Sequence, residues 1–164
     1  MSVIYREAGR DDVASIVAML ADDELGKTRE TVSDPPDPAY FEAIDAVLAN
    51  PNDRIIVAER DGVVIACAQL TILHGLSRRG ARRALIEAVR VAGGERGTGV
   101  GASLIRHLVG IARENGASLV QLTSDKSRTR AHAFYERLGF KGTHLGMKLE
   151  LGVSPAERPP KRPA

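Results

Sequence analysis

Cysteine is nearly absent from this chain, since Cys67 is the single one among 164 residues. One cysteine excludes an internal disulfide and a zinc cluster built from cysteines, and it agrees with a reducing compartment. We predict that Cys67 is a small core residue on a strand rather than a nucleophile. The four histidines show no metal-ligand spacing, so the sequence predicts no metal site.

Long apolar runs are also missing, which argues against a helix that spans a membrane. Residues 1–7 lack the basic and then apolar pattern of a signal peptide, and we therefore expect a cytoplasmic protein. A strong charge of either sign is missing too. The 23 basic and 21 acidic residues give a net charge of +2, too close to neutral for a nucleic-acid footprint. The expected partners include neither nucleic acid nor a membrane.

The composition predicts one globular domain with a substantial core, because 43% of the residues are hydrophobic. We place this domain at residues 1–152. The remaining residues, 153–164, are rich in proline and charge, and they are predicted to form a disordered tail.

Hydrophobic periodicity predicts strands and helices in a definite order along the domain. Strand-like runs occur at 2–8, 54–60, 63–73, 85–91, 118–123 and 145–151. Helical spacing occurs at 13–20, 38–49, 99–114 and 129–138. Asp61 and Gly62 suit a tight turn between the second and third strands.

The most informative segment is 96–101, Arg-Gly-Thr-Gly-Val-Gly, which joins a predicted strand to a predicted helix. A helix N-terminus offers an anion unpaired backbone N–H groups and the positive end of the helix dipole. Glycine lets the ligand approach the backbone without a Cβ in the way. Arg96 adds a positive charge that can fork onto phosphate oxygens. The run therefore predicts a phosphate-binding loop.

Two nucleotide-binding loops compete with this interpretation. A P-loop is excluded because no lysine follows Gly101. Gly97, Gly99 and Ala102 formally satisfy the dinucleotide pattern, and Asp125 stands at about the distance of a ribose-binding acid. The loop before the glycines is long, however, and too few alternating units follow Asp125 for a doubly wound domain. A nucleotide-dependent oxidoreductase is thus a remote alternative.

A second motif follows one strand further along the chain, in the segment 131–140, AHAFYERLGF. Together with 96–101 it resembles the GNAT superfamily of acyl-CoA-dependent N-acyltransferases. The loop matches that superfamily's [QR]-x-x-G-x-[GA] pattern, and the helix matches A-x-x-[FL]-Y-x-x-x-G-F. The matching helix residues are Ala131, Phe134, Tyr135, Gly139 and Phe140. The order of elements over residues 2–151 also looks like that fold.

The resemblance implies an α/β (α+β) fold with a mixed, mostly antiparallel, splayed central sheet. Six to seven strands and about four flanking helices are expected. Acetyl-CoA is the implied cosubstrate, with its pantetheine arm paired to the backbone of Val89 and Val91 between the fourth and fifth strands. The other implied cofactor contacts are Arg96, Gly97, Thr98, Gly99, Val100, Gly101, Ala102, Arg128, Ala131 and Phe134.

Two regions near the motifs supply weaker candidates. Many members of the superfamily carry an asparagine where this chain has Arg128, and an arginine there is expected to reach a phosphate of CoA instead. Asp22, Asp23 and Glu24 follow the first helix, a region that lines the acceptor site in the resembling family. They either attract a cationic amine or form a solvated acidic loop.

The chemistry of amide formation needs two proton transfers. The attacking amine must lose a proton, and the departing thiolate benefits from gaining one. The resemblance implies that Tyr135 supplies the second proton. Glu87 is our candidate base, because it is a carboxylate in an otherwise apolar strand two residues before the acyl site. The competing interpretation of Glu87 is a structural or ion-paired glutamate.

We therefore expect an N-acetyltransferase that transfers the acetyl group of acetyl-CoA directly to a primary amine, without a covalent acyl-enzyme. The alternative is a non-catalytic acyl-CoA-binding sensor or interaction module on the same fold. Small-molecule amines and protein lysines are both compatible acceptors. Dimerisation is common in the superfamily, so the resemblance is compatible with a homodimer.

Overall fold

The computed structural model describes residues 2–23 and 25–152, so Glu24 and the predicted tail at 153–164 lie outside the described residues. Within them the chain forms five strands and five helices. The strands are β1 (Ile4–Glu7), β2 (Asp53–Arg60), β3 (Val63–Leu73), β4 (Arg82–Val91) and β5 (Ala117–Leu122). The helices are α1 (Val13–Ala21), α2 (Pro38–Leu48), the one-turn α3 (Ser77–Gly80), α4 (Val100–Glu114) and α5 (Thr129–Arg137).

The strands form a single sheet in the order β1-β2-β3-β4-β5. The first four strands pair antiparallel, while β4 and β5 pair parallel across the helix α4 that connects them. The mixed, mostly antiparallel α/β fold is therefore confirmed. A doubly wound parallel sheet, which the oxidoreductase alternative requires, is not what these strands form.

The hairpin between β2 and β3 is also confirmed. Asp61 and Gly62 have φ angles of 54° and 77°, so both lie in the left-handed region. A two-residue turn of this kind matches the twist of antiparallel strands.

The expected count of six to seven strands is wrong for the described residues, because the segment 145–151 does not form the predicted final strand. Its alternating side chains are exposed, with Leu145 at 64%, Met147 at 88% and Leu149 at 86%. Alternation shows which side chains would share a face, but a strand also needs a hydrogen-bonded neighbour. The pattern carried no information about that neighbour.

Two apolar layers cover the two faces of the sheet. Helix α4 packs Leu104, Ile105 and Leu108 against one face, and α5 packs on the same side. Helices α1 and α2 cover the other face, where Cys67 is 1% exposed. Burial raises the pKa of the Cys67 thiol to about 12, which confirms the prediction of a core residue rather than a nucleophile.

The ion pair between Arg6 and Asp12 anchors the start of α1 to β1. Both guanidinium Nη atoms of Arg6 donate to the Asp12 carboxylate at 2.8 Å, and the N–H of Gly9 donates to it at 2.8 Å as well. The hydrogen bonds from Arg6 hold the pKa of Asp12 below its ordinary value, against the effect of burial. A lowered carboxyl pKa stabilises the folded state above the ordinary pKa of 3.8.

We expect Asp12→Asn to lower the free energy of unfolding by about 2 kcal/mol, because it removes the charge from a buried carboxylate that accepts hydrogen bonds from Arg6 and from the Gly9 N–H. Urea denaturation at neutral pH measures the change. The stabilisation in the parent should disappear as the pH falls through the lowered pKa of Asp12, and the variant should lack this part of the acid dependence.

Asp45→Asn is the matched control, since Asp45 pairs with Arg10 where both side chains are about half exposed. Its cost should stay below about 0.5 kcal/mol. Equal losses in the two variants would show that the Arg6–Asp12 pair has no special structural role.

Candidate active site

The parallel strands β4 and β5 stay together over only half of β4. Their paired residues run from Arg82 with Ala117 to Ile86 with Leu122, where β5 ends. From Glu87 to Val91, β4 continues beside β3 without a strand on its other side. The described sheet is therefore open at this end, as the resemblance implied.

A bulge marks the point where β4 leaves β5. Gln69 of β3 faces Glu87, and Cys67 faces Arg90, so Ala88 and Val89 together oppose a single residue of β3. Ala88 has a φ of 51°, a left-handed backbone that a residue with a Cβ rarely adopts. Because bulges bend the strand that carries them, this one separates the end of β4 from β5.

The bulge also decides which side chains share a face of the sheet. Residues three apart on a regular strand point to opposite faces. Here Glu87 and Arg90 pair with Gln69 and Cys67, which lie two residues apart on β3 and therefore share a face. Glu87 and Arg90 consequently lie on the α1 side, about 7 Å apart along the strand, from two residues at about 3.4 Å each.

The predicted glycine loop lies beside this opening. Gly97 and Gly99 have φ angles of 82° and 93°, and Gly99 is the residue that precedes the first turn of α4. A Cβ on Gly101 would come within 3.2 Å of the Val91 side chain and 3.6 Å of the Phe134 ring. Glycine at position 101 thus lets the start of α4 approach both β4 and α5.

Backbone N–H groups at the start of α4 are available to a ligand. Within the part of the chain that the structure describes, no protein acceptor receives a hydrogen bond from the N–H groups of Gly99, Val100, Gly101 or Ala102. Such groups, together with the helix dipole, favour an anion. The Thr98 hydroxyl is used inside the loop, where it donates to the Glu95 carbonyl at 2.7 Å.

Arg96 ties the loop to its surroundings. Its Nη2 donates to the carboxylate of Asp22 at 2.7 Å and to the carbonyl of the same residue at 2.8 Å. Its Nε donates to the Val91 carbonyl at 3.1 Å. The side chain is about half exposed, and its charge is matched by Asp22 in this state of the protein.

A cavity of about 370 Å³ lies between the end of α1, the open end of β4 and the start of α5. Four cationic and two anionic side chains line it. The complete lining is Asp22, Asp23, Lys27, Val89, Arg90, Val91, Arg96 and Arg128. This is therefore the most strongly charged of the described cavities.

Asp23 bridges the two sides of the opening. Its carboxylate accepts from Arg90 of β4 at 3.4 Å and from Arg128, at the start of α5, at 3.2 Å. One carboxylate thus faces two guanidinium groups, so the charge of this trio is positive. Asp22 and Asp23 both form ion pairs in this cavity. They are therefore not a freely solvated acidic loop, and their negative charges are already matched by arginines rather than available to a cationic amine.

Tyr135 lies on the side of α5 that packs against the core. Its ring contacts Phe134 and Phe140 edge to face, with centroids 5.0 and 5.8 Å away. Burial raises the pKa of the Tyr135 hydroxyl, and the charges of Arg128 and Arg90 lower it in part. The hydroxyl therefore stays protonated at neutral pH, and it interacts electrostatically with two arginines that line the cavity.

Four of the fourteen predicted site residues line this cavity, and Tyr135 is not among them. Val89, Val91, Arg96 and Arg128 line the cavity. The glycine loop borders it through Arg96, and Phe134 closes against Gly101. Ala131 does not line the cavity, and Glu87 is exposed on the same face as Arg90.

Arg90 and Lys27 line the cavity although sequence reasoning did not single them out. Simple alternation would have placed Arg90 on the face opposite Glu87, and nothing in the sequence marks the bulge at Ala88. The only available signal was a cation inside an apolar strand. Of the arginines at 78–83, Arg82 and Arg83 donate to Asn115 and Gln121 of this chain, outside the cavity.

Neither a metal-binding cluster nor a membrane-spanning helix is found among the described residues. No group of three or more potential metal-binding side chains occurs among residues 2–23 and 25–152. None of the helices described for this chain is both long and apolar enough to cross a membrane.

An open mixed sheet with a glycine-capped helix beside the separated strands defines an acyltransferase architecture. The chain belongs to the Acetyltransferase (GNAT) family, whose model matches residues 17–140. The resemblance found in the two sequence motifs is thereby confirmed. The protein is accordingly an enzyme of the acyltransferase class, in a family whose acetyltransferases use acetyl-CoA.

Two relatives of known activity are similar in sequence. Aminoalkylphosphonate N-acetyltransferase from Salmonella typhimurium is 30% identical over 143 residues, which cover 85% of this chain and 86% of the relative. Glucosamine 6-phosphate N-acetyltransferase from Trypanosoma brucei brucei is 33% identical over 98 residues, or 60% of this chain and 65% of the relative.

Solved structures share the fold across nearly the whole chain. A protein from Bacillus halodurans C-125, described as a transcriptional regulator, has a TM-score of 0.89 at 39% identity, covering 92% of this chain and 100% of its own. A putative acetyltransferase from Agrobacterium tumefaciens has a TM-score of 0.80 at 28% identity, covering 92% and 99%. A Clostridium acetobutylicum protein solved with acetyl-CoA has a TM-score of 0.71 at 22% identity, covering 92% and 97%.

The bulge predicts an unusual order of stability at position 88. Left-handed backbone costs a residue with a Cβ about 1 kcal/mol, and it costs a β-branched residue more. The melting temperature measured by thermal unfolding should therefore be higher for Ala88→Gly than for the parent, and lower for Ala88→Val. At Ser118, an exposed position on β5, substitution by glycine, alanine and valine should rank in the opposite order, valine first. The same ranking at both positions would exclude a strained bulge.

Proposed function

We propose that this enzyme transfers the acetyl group of acetyl-CoA directly to a primary amine, with donor and acceptor bound together. The observation that carries the proposal is the opening between β4 and β5, which ends at the free N–H groups of the glycine loop. An extended donor laid in this opening would pair with the edge of β4 that no described strand covers, and it would place its phosphates at the start of α4. The donor supplies the activated acyl group as a thioester.

Successive parts of the donor are proposed to contact successive parts of this chain. The backbones of Val89 and Val91 are the proposed strand-like contacts, because no described strand pairs with that side of β4. Their carbonyls accept from the side chains of Arg90 and Arg96, which the donor would displace.

The N–H groups of Gly97 and of Gly99 to Ala102 are proposed to bind the pyrophosphate, while the Thr98 N–H donates to the Glu95 carbonyl. Arg96 and Arg128 are the proposed cationic contacts of the donor's phosphates. Thr98, in the glycine loop, and Ala131, in α5, are proposed to lie next to the bound donor.

Tyr135 is the proposed acid that protonates the leaving sulfur. Its hydroxyl stays protonated at neutral pH because burial raises its pKa. The ring is fixed by Phe134 and Phe140, so the hydroxyl has a defined position. A passive core tyrosine would share both features, so the match of residues 131–140 to the family motif is what supports the acid role.

Glu87 is the proposed base, acting directly or through a water molecule. Its side chain is exposed on the face of the sheet that holds Arg90 and the end of α1. No ion-pair partner of Glu87 occurs among the described side chains, which argues against the competing interpretation of an ion-paired glutamate.

A small amine is the acceptor that we propose. The named relatives act on an aminoalkylphosphonate and on glucosamine 6-phosphate, and a third, 37% identical over 73 residues, is a streptothricin acetyltransferase from Streptomyces lavendulae. The α1 side of the cavity, lined by Asp22, Asp23, Lys27 and Arg90, is the proposed place for the acceptor. Thiol release from acetyl-CoA in the presence of an amine panel tests the proposal, and no release with any amine would refute it.

Acetyl-CoA should raise the melting temperature of the parent protein. At a hundredfold excess over Kd, binding adds about 2.7 kcal/mol, which corresponds to roughly 5–10 °C for a domain of this size. Gly99→Val should abolish the shift, because valine resists the left-handed backbone that presents the loop. Gly110→Val is the control: it lies on the same helix with open space around it, and it should keep the shift.

Tyr135→Phe should lower kcat by about a hundredfold or more, because a general acid contributes roughly 10²- to 10⁴-fold. The KM for acetyl-CoA should change by less than about twofold, since the ring and its packing remain. Tyr5→Phe, which removes a hydroxyl from a ring stacked on His107 far from the cavity, is the matched control. An unchanged kcat in Tyr135→Phe assigns the proton to another group or to water.

A further inference from the structure

The charge of the cavity exceeds what its own carboxylates compensate. Asp22 matches Arg96 at 2.7 Å, and that pair belongs to the glycine loop. Asp23 is shared between Arg90 and Arg128, and Lys27 adds another positive charge to the lining. Among the described lining residues, pairing Arg96 with Asp22 and Arg128 with Asp23 leaves Arg90 and Lys27 without a carboxylate of their own, and Glu87 lies about 7 Å from Arg90 along the strand.

The contacts of Arg90 leave part of its guanidinium unused. Its Nη1 donates to the Val89 carbonyl at 2.9 Å, and its Nη2 reaches Asp23 only at 3.4 Å. Its Nε is buried and has no hydrogen-bond partner among the described residues. The pair Arg6–Asp12 shows the contrast, with two contacts at 2.8 Å. An arginine held this loosely has donors available for a second anion.

Arg90 lies on the other face of the sheet from the helix α4 that carries the glycine loop, although Arg96 of that loop lines the same cavity. The loop opens α4, which packs on one face of the sheet, whereas Arg90 pairs opposite Cys67 and lies on the other face. On that face its companions are Glu87 and the residues at the end of α1. The surplus charge at Arg90 is therefore placed on the acceptor side of the opening.

The spacing of Glu87 and Arg90 describes the acceptor. A carboxylate and a guanidinium lie on one face about 7 Å apart, an arrangement that complements an amine joined to an acidic group by a short carbon chain. We infer that Arg90 binds an acidic group of the acceptor, so that this enzyme prefers primary amines bearing a phosphonate, phosphate or carboxylate group. This inference rests on the proposed function and names the substrate class of that same site.

Lys27 lies at the rim of the same cavity and strengthens the field that the acidic group meets. Asp23 acts as a counter-ion for Arg90 and Arg128 in the free protein. A phosphonate has three acceptor oxygens, so it can bind the guanidinium end of Arg90 that lines the cavity more closely than the single 3.4 Å contact from Asp23 does.

Thiol release with matched amines tests the inference. We expect kcat/KM for 2-aminoethylphosphonate to exceed that for propylamine and for ethanolamine by at least about tenfold. Arg90→Gln should reduce kcat/KM for the phosphonate by about 10- to 100-fold and for propylamine by less than about threefold. Lys27→Gln should lower the same preference by a smaller factor.

The ratio of the two amines within one variant is independent of how much of that variant is folded. Arg83→Gln is the matched control, because Arg83 lies on the same strand but bonds Gln121 outside the cavity. It should leave the preference unchanged. Acetyl-CoA should stabilise Arg90→Gln as much as it stabilises the parent.

Three outcomes overturn the inference, and each is distinct. Equal kcat/KM for acidic and neutral amines refutes the acidic acceptor and leaves the acetyltransferase in place. Loss of acetyl-CoA binding in Arg90→Gln assigns Arg90 to the donor's phosphates instead. Acetyl-CoA binding without thiol release from any amine, acidic or neutral, removes the proposed function together with the inference.

Discussion

The loss of pairing between β4 and β5 is the constraint on which the rest of this structure depends. Backbone hydrogen bonds normally hold neighbouring strands together, and here they stop at Ile86, just before the bulge at Ala88. A residue with a Cβ adopts left-handed backbone there, at some cost in stability. The cost is offset by the packing of both faces of the sheet, and the result is an opening that an extended ligand can enter.

The position of the glycine loop and the grouping of charged side chains both depend on this opening. The glycine loop can border it because Gly101 lets α4 approach β4 and α5 closely. Charged side chains from three separate parts of the chain meet across it, with Asp23 between Arg90 and Arg128. The same bulge that opens the sheet turns Glu87 and Arg90 to one face, so the shape and the charge of the site share one origin.

Local patterns predicted the five strands that the structure describes, including β1, whose partner β2 is distant in sequence. The hairpin of β2 and β3 also followed from the Asp61-Gly62 turn, since a tight turn brings its own two strands together. The segment 145–151 alternates just as clearly but is not a strand, because alternation does not specify a hydrogen-bonded neighbour. The site shows the same division: the loop and Tyr135 were marked by motifs, whereas Arg90 was not.

The sequence by itself determined the family, and its motifs marked the glycine loop, because both depend on residue types at fixed local spacing. Only the tertiary structure decided which charges meet in the cavity. Side-chain direction on a strand has a period of two, and a single extra residue at a bulge reverses it for everything that follows. One backbone angle at Ala88 therefore placed Arg90 beside Glu87, and no local pattern in the chain specifies that angle.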